Sequence, residues 1–236
     1  MKFIYFTDYH GNMKQYRRLL QLAAENGVRL LVTSGDIGPH ERDKPFMRNF
    51  FREWLNNAKE AELTVMGMLG NDDPAVYVKY LDEYESEGLF QRIDLQFQKF
   101  EGYYFWGYNF VPELPFGMKD WVKHDSPGAP RPPQFSKPVL ATETGYKTIK
   151  DIEKFLQERG SIQEDLEQVY FENPSRTIAV MHSPPYGTGL DLTFRHESVG
   201  SRAIARFLED RQPRLSLHGH IHEAPKISGR KQIDIG

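Results

Sequence analysis

The chain has 236 residues, of which 39% are apolar and 27% charged, a composition typical of a globular chain with one sizeable core. Its formal net charge of -3 and its lack of cysteine argue against a polyanion-binding protein and exclude disulfides, thiolate nucleophiles and iron–sulfur clusters. No apolar stretch reaches the roughly 18 residues of a membrane helix, and the first residues show no signal-peptide pattern. We therefore expect a cytoplasmic protein with no membrane partner.

Strand and helix patterns alternate through the first third of the chain. Apolar runs rich in β-formers predict strands, and apolar residues every three or four positions predict helices. In chain order these are a strand at Lys2–Phe6, a helix at Asn12–Glu25, a strand at Arg29–Thr33, a helix at Lys44–Lys59 and a strand at Leu63–Leu69. This β-α-β-α-β order implies parallel neighbouring strands in a sheet covered by helices.

The pattern then changes to less regular spacing. Seven of the fifteen prolines fall between Pro112 and Pro138, which predicts a surface excursion over about residues 112–140, either a lid or binding loop or a disordered insert. The other predicted elements are a helix near Ala75–Glu85, strands at Leu89–Phe97 and Tyr103–Phe110, helical structure in Thr144–Tyr170, a strand at Thr177–Met181, a helix at Val199–Glu209, a strand at Arg214–Leu217 and a hairpin over residues 224–235.

Short polar clusters follow several of these strands, beginning with Asp8-Tyr9-His10-Gly11 and Gly35-Asp36. Side chains at i and i+2 of an extended segment point to the same side, so Asp8 and His10 can bind one cation together. The two carboxylate oxygens of Asp36 can bridge two cations. Each cluster is weak by itself, since Asp-x-His recurs by chance and Gly-Asp is an ordinary turn.

The third cluster is Gly70-Asn71-Asp72-Asp73. The amide oxygen of Asn71 can complete a cation shell without adding charge where carboxylates already crowd. The alternative is a loop with a helix cap, because Asp73-Pro74 is a good helix start. We expect both, with Asn71 facing the site and Asp72 or Asp73 helping the helix to begin.

Histidines form the last two clusters. His182 follows a strand and, alone, is more often structural than a metal ligand. The stretch from His218 to His222 holds three imidazoles within five residues and is the most specific local signal. Neutral imidazole is the commonest transition-metal ligand in proteins.

Taken together, the candidate metal ligands share one position, at or just past the carboxyl ends of predicted strands, where open α/β sheets bind their ligands. They are Asp8, His10, Asp36, Asn71, His182, His220 and His222. This nitrogen and oxygen donor set suits two borderline divalent cations, with manganese as the first expectation and iron, zinc or nickel as alternatives.

The ordered series Asp-x-His, Gly-Asp, Gly-Asn-x-Asp, His and Gly-His-x-His resembles the calcineurin-like metallophosphoesterase superfamily. The stretches beginning at His182 and His218 are similar to its small bacterial and archaeal branch. The resemblance implies a single domain over residues 1–236 with an α/β fold: a four-layer α/β/β/α sandwich of two mixed β-sheets flanked by helices.

The resemblance also implies roles for these residues. Asp8, His10 and His222 would hold one metal, Asn71, His182 and His220 the other, and Asp36 would bridge them, while His218 would not be a ligand. A hydroxide bridging the two metal ions would hydrolyse a phosphodiester or phosphomonoester of a small molecule, without a protein nucleophile.

One position departs from the family pattern. Asn71 and Asp72 are the candidates for a direct catalytic role, but relatives commonly have histidine where this chain has Asp72. An exposed carboxylate is ionised at neutral pH and is a poor acid. We therefore hypothesise that proton donation comes from elsewhere or is unnecessary, and that esters with good leaving groups are favoured.

Two alternatives remain open from the sequence. Some relatives have lost their metals and act as interaction scaffolds, although their ligand positions are generally eroded, whereas all seven are filled here. Others are nucleases, which need a basic track that the net charge does not suggest, so we do not expect nucleic acid as a partner. Arg195-His196 either touch substrate phosphate or lie in a solvated loop, and the oligomeric state is open.

Overall fold

The computed structural model describes residues 1–39 and 43–234 of the chain. Its strands are β1 (Ile4–Phe6), β2 (Leu30–Thr33), β3 (Thr64–Gly67), β4 (Gln91–Arg92), β5 (Phe97–Phe100), β6 (Tyr103–Tyr108), β7 (Val111–Pro112), β8 (Val122–Lys123), β9 (Val139–Ala141), β10 (Tyr146–Thr148), β11 (Thr177–Met181) and β12 (Leu215–His218). Its helices are α1 (Met13–Asn26), α2 (Arg52–Glu60), α3 (Val78–Ser86), α4 (Ile152–Arg159), α5 (Ile162–Glu167), α6 (Arg202–Arg211) and α7 (Ala224–Ser228). A π-helical segment, Phe46–Phe51, runs directly into α2, and 3-10 turns occupy Ala75–Tyr77 and Pro174–Arg176.

Two four-stranded sheets carry the fold. The first has the order β1-β2-β3-β4 and is parallel throughout. The second has the order β12-β11-β6-β5, in which only β5 runs antiparallel to its neighbour. The α/β class is confirmed, but only the second sheet is mixed. The first is purely parallel because its successive strands are joined by helical crossovers, which bring each strand back in the same direction.

The two sheets pack against each other through alternate side chains. In β2, Leu30 and Val32 face the second sheet and contact a cluster that includes Ile178 of β11. Leu31 points the other way and packs with the helices α1 and α2. The outer face of the second sheet, with Met181 among its residues, is covered by α5 and α6. Burial on both faces explains why these strands appear in the sequence as continuous apolar runs.

Helix α1 begins immediately beyond the first polar cluster. The side chain of Asn12 accepts a hydrogen bond from the N–H of Gln15 at 3.2 Å and caps the helix, and Gly27 ends it in the left-handed conformation with φ 61°. The cap fixes where the loop from Asp8 to Gly11 stops and the helix starts.

Among the described residues, no helix combines the length and the apolar composition needed to cross a bilayer.

Two of the predicted elements between residues 89 and 170 differ from the structure. Of Leu89–Phe97, only Gln91–Arg92 forms a strand before β5, and it pairs with β3 in the first sheet. Residues 144–170 are not helical throughout, because β10 pairs with β9 before α4 begins. The separation of α4 from α5 at Gly160, which has φ 70°, also interrupts that stretch.

The expected hairpin over residues 224–235 is wrong at its start. Residues Ala224–Ser228 form α7, with Pro225 in the first turn and Gly229 ending the helix at φ 69°. A proline in the first helical turn loses no hydrogen bond, so it favours the helix over a strand. Ile235 lies outside the described residues.

Candidate metal centre

The loops that follow β1 and β2 run side by side. The backbone N–H of Asp8 donates to the carbonyl of Gly35 at 3.1 Å, and that of His10 donates to the carbonyl of Asp36 at 3.0 Å. These bonds continue the parallel pairing of β1 and β2 beyond the strand ends. They bring Asp8 and His10 against Asp36, as the sequence predicted.

Four of the predicted ligands have their backbone in the left-handed region, which residues other than glycine rarely adopt. They are Asp8 with φ 56°, His10 with φ 43°, Asp36 with φ 51° and His220 with φ 71°. Such conformations persist only where the surrounding structure enforces them, and they concentrate at functional sites. Here they turn the side chains of separate loops toward one point.

One set of side chains forms what we call the first ligand group: Asp8, His10, Asp36 and His222. One nitrogen or oxygen from each lies within 4.8 Å of all the others. Nε2 of His222 is 3.2 Å from Oδ1 of Asp8 and 3.1 Å from Nε2 of His10, and Nε2 of His10 is 3.8 Å from Oδ2 of Asp36. Two carboxylates and two imidazoles in this space suit a divalent borderline cation.

The second ligand group consists of Asn71, His182 and the same Asp36. Nε2 of His182 lies 2.8 Å from Oδ1 of Asn71 and 3.4 Å from Oδ2 of Asp36. Nδ1 of His182 lies 3.0 Å from the carbonyl oxygen of Ser34, so Nδ1–H donates to that oxygen and Nε2 faces the group. The oxygen Oδ2 of Asp36 is therefore close to both ligand groups.

His220 lies between the two groups. Its backbone N–H donates to both carboxylate oxygens of Asp8, at 3.0 and 3.1 Å. Its ring is tilted against the ring of His182, with the centroids 5.2 Å apart. Burial and the charge of His182 lower the pKa of His220 to about 3, so this imidazole is neutral at pH 7, as a metal ligand must be.

The electrostatics of the cluster favour positive charge at its centre. Burial lowers the pKa of His182, but the charge and hydrogen bond of Asp36 outweigh burial and raise that pKa to about 9. Burial also opposes the ionisation of Asp8, yet the hydrogen bond from His222 and the neighbouring imidazoles hold its pKa well below the usual range. The carboxylates would attract divalent cations in the same way, so the residues fit the metal ions that the sequence implied.

Two glycines allow this close packing. A Cβ at Gly70 would overlap the carboxylate of Asp36 and lie 2.7 Å from Cε1 of His182. A Cβ at Gly219 would overlap the carboxylate of Asp8. Glycine therefore stands where the backbone must pass directly against the ligand side chains.

Asp72 lies at the edge of the cluster, with 35% of its side chain exposed. Its backbone N–H donates to Oδ1 of Asp36 at 2.8 Å, and its carboxylate accepts a 2.8 Å hydrogen bond from the amide nitrogen of Asn71. Because the carboxylate takes the amide N–H, the amide oxygen of Asn71 is directed toward His182. Asp72 is also 3.9 Å from Nδ1 of His10.

The expectation that Asp73 helps to cap the next helix is wrong. Its fully buried carboxylate does not cap the next helix but accepts backbone hydrogen bonds from Gly70 at 2.9 Å, Ile37 at 2.9 Å and Gly38 at 2.8 Å. It thus joins the loop after β2 to the loop after β3. The N–H of Ala75, which a local cap would satisfy, donates to Asp120, 45 residues further along.

The remaining histidines of the sequence analysis lie apart from the two groups. Nδ1 of His218 lies 3.0 Å from the carbonyl of Ser183, and Nε2 lies 2.9 Å from the hydroxyl of Ser216. Arg195 and His196 are exposed in a loop, and among the described residues no hydrogen bond or ion pair joins them to the ligand groups. A groove of about 850 Å³, bordered by Asp8 and His222, runs along β12.

Comparison with known proteins identifies the family and the fold. A family model described as calcineurin-like phosphoesterase matches residues 1–224. The crystal structure of TT1561 of Thermus thermophilus is 15% identical in sequence, with a TM-score of 0.55, over 92% of this chain and 80% of that one. A second solved structure is 14% identical, with a TM-score of 0.56, over 93% of this chain and 83% of that one. No curated protein matches the chain significantly.

Proposed function

The chain belongs to the calcineurin-like phosphoesterase family, and on that premise we propose that it hydrolyses phosphate esters of small molecules at a centre of two divalent metal ions. Family membership supports metal-dependent phosphoester hydrolysis in general. The observation that carries the finer proposal is the position of Asp36, whose Oδ2 lies 3.8 Å from His10 Nε2 and 3.4 Å from His182 Nε2. One carboxylate oxygen is thus within reach of both ligand groups.

Two divalent cations, when bound, lower the pKa of a shared water toward neutrality and stabilise negative charge on the phosphoryl oxygens. The chain's own part is to hold the donors in place. Oδ1 of Asp36 accepts the N–H of Asp72, which fixes the carboxylate so that Oδ2 stays between the groups. Ser34 holds the His182 ring through its carbonyl, which leaves Nε2 facing the same point.

The proposed role of Asp72 is to orient the side chain of Asn71, and Asp72 is not the general acid that protonates the leaving oxygen. Its carboxylate binds the amide nitrogen of Asn71 and so sets which end of the amide faces the second ligand group. The Asp72 carboxylate already accepts the amide N–H of Asn71, so its hydrogen bond serves to orient that side chain. The leaving oxygen then departs without help from Asp72, so esters with acidic leaving groups react fastest.

The proposal is tested with purified protein and Mn²⁺. It should cleave 4-nitrophenyl phosphate or bis(4-nitrophenyl) phosphate, and Asp36→Asn should abolish the activity while keeping the side-chain volume. Asp165→Asn is the matched control, because Asp165 is a carboxylate that binds Tyr108 and Lys123 away from the cluster. Full activity in Asp36→Asn, or no cleavage of either ester with Mn²⁺, Fe²⁺, Zn²⁺ or Ni²⁺, would contradict the proposal.

The same preparation separates the two alternative functions. A scaffold that has lost its metals stays empty when excess Mn²⁺ is added, which elemental analysis measures after removal of free metal. A nuclease cleaves DNA or RNA at a rate comparable with that of the small diester. We expect bound Mn²⁺ and no cleavage of nucleic acid.

A further inference from the structure

One segment of the surface excursion, Lys119-Asp120-Trp121, contacts the loop that carries Asn71; Lys119 and Asp120 are buried and Trp121 is partly buried. The indole nitrogen of Trp121 donates a 2.7 Å hydrogen bond to the backbone carbonyl of Asp73. Oδ2 of Asp120 accepts a 2.7 Å hydrogen bond from the N–H of Ala75. Both bonds reach backbone atoms of the loop after β3, within four positions of the ligand.

Through Asp73, the hydrogen bond from Trp121 also affects the loop after β2. The carboxylate of Asp73 binds the N–H groups of Ile37 and Gly38 in the loop after β2, and that of Gly70 in its own loop. Trp121 holds the backbone of the residue that joins the two loops. A shift of Asp73 therefore changes the spacing of the two loops on which the second ligand group depends.

The segment is itself held firmly. Asp120 is only 3% exposed, and its second oxygen accepts a 2.9 Å hydrogen bond from the N–H of Ala141 in β9. Arg159, at the end of α4, donates to the carbonyl of Asp120 at 2.7 Å and to that of Lys119 at 3.2 Å. A buried carboxylate is costly unless its oxygens are hydrogen-bonded. Those of Asp120 connect the excursion to the ligand loop, so the loop is fixed against a rigid support.

We propose that Asp120 and Trp121 are positioning residues for the metal centre: they fix the loop of Asn71 relative to Asp36 and thereby set the affinity for the cation of the second ligand group. This inference rests on the metal centre of the proposed function, although not on its esterase activity. Residues behind the direct ligands typically contribute about 10–100-fold to metal affinity.

The test is a Mn²⁺ titration followed by the electron paramagnetic resonance signal of free Mn²⁺, alongside thermal unfolding. Asp120→Asn replaces one acceptor oxygen by a donor and should raise one of the two Mn²⁺ dissociation constants, that of the second ligand group, about tenfold or more. Trp121→Phe removes the indole N–H and keeps an aromatic ring, and should raise the same constant by a smaller factor. The other dissociation constant should change less in both variants.

Glu113→Gln is the matched control. Glu113 lies in the same excursion and has a side chain that is 3% exposed; it pairs with Arg131 at 2.7 Å and with Lys119 at 3.8 Å rather than with the ligand loop. This variant should lower the unfolding temperature without changing either Mn²⁺ dissociation constant. A merely structural role for Asp120 predicts the same behaviour in Asp120→Asn.

Unchanged Mn²⁺ affinities in both Asp120→Asn and Trp121→Phe would overturn the inference. Should Asp120→Asn fail to fold, Trp121→Phe decides alone. Wild-type protein that binds two Mn²⁺ but cleaves no ester would overturn the proposed function and leave this inference standing. Wild-type protein that binds none of Mn²⁺, Fe²⁺, Zn²⁺ and Ni²⁺ would overturn both.

Discussion

Nε2 of His10 lies 3.1 Å from Nε2 of His222, although 212 positions separate the two residues. Two imidazole nitrogens at this distance repel each other through their lone pairs unless a proton or a cation lies between them. Oδ1 of Asp8 is 3.2 Å from the same His222 nitrogen, which adds negative charge to the same space. A divalent cation bound by all three atoms would remove the repulsion between the imidazoles and neutralise the carboxylate, so the cluster should be more stable with metal than without.

Metal should therefore raise the thermal stability of the protein. A ligand at 100 times its dissociation constant adds about 2.7 kcal/mol to the free energy of unfolding. For a chain of this length that corresponds to a rise of about 5–10 °C in Tm. Circular dichroism melts with Mn²⁺ and with a chelator measure it, and Asp36→Asn should show a clearly smaller rise. Equal Tm values for the wild type with and without Mn²⁺ would rule out tight binding.

Gly70→Ala should damage the centre directly. The added methyl group would overlap the Asp36 carboxylate and press on His182, so we expect a loss of about 1–3 kcal/mol in stability together with greatly weakened Mn²⁺ binding. Gly145→Ala is the control, because a Cβ there meets nothing within 4 Å. Urea unfolding and Mn²⁺ titration of both variants provide the comparison. Normal Mn²⁺ binding by Gly70→Ala would show that the packing around Asp36 is not needed.

Much of the arrangement of the candidate ligands was predictable from the sequence because each of them follows a strand. Parallel strands place their carboxyl ends at one edge, so residues as distant as Asp8 and His182 could be expected together. The bracing by Asp73 and the cap that Asp120 supplies to Ala75 could not. Both depend on side-chain contacts between loops far apart in the chain, which local spacing does not encode.

Helical and strand patterns were also least informative where the same residues are compatible with more than one type of element. Apolar spacing in residues 144–170 suggested one helical stretch, but β10 takes its first residues because its backbone pairs with β9. The hairpin expected over residues 224–235 begins instead with α7, which ends at Gly229. In both cases the pattern indicated regular structure but not the correct type of element.

Asp72→Asn and Asp72→Ala separate an orienting role from an acid role. Asparagine can still accept the hydrogen bond from Asn71, so Asp72→Asn should preserve the ratio of rates for nitrophenyl and alkyl phosphates. Alanine cannot, so Asp72→Ala should weaken Mn²⁺ binding several-fold. Steady-state kinetics with the two esters measure the ratio. A selective loss of the alkyl ester in Asp72→Asn would instead assign Asp72 as the general acid.

His218 should make the protein less stable in mild acid. Burial lowers the pKa of its imidazole from 6.5 to about 4. Between these pH values the unfolded chain binds a proton that the folded protein does not, so the free energy of unfolding falls as the pH is lowered. Urea unfolding at pH 7 and pH 5, in the presence of a chelator, should show a smaller loss in His218→Gln than in the wild type. Equal losses would assign the acid sensitivity to other groups.

The central claim, that Asp36 bridges two cations, is tested most directly by anomalous X-ray scattering from crystals grown with Mn²⁺. Two peaks about 3.5–4 Å apart should lie on either side of the Asp36 carboxylate, one beside His222 and the other beside His182. A single peak, or two peaks that share no contact with Asp36, would contradict the account.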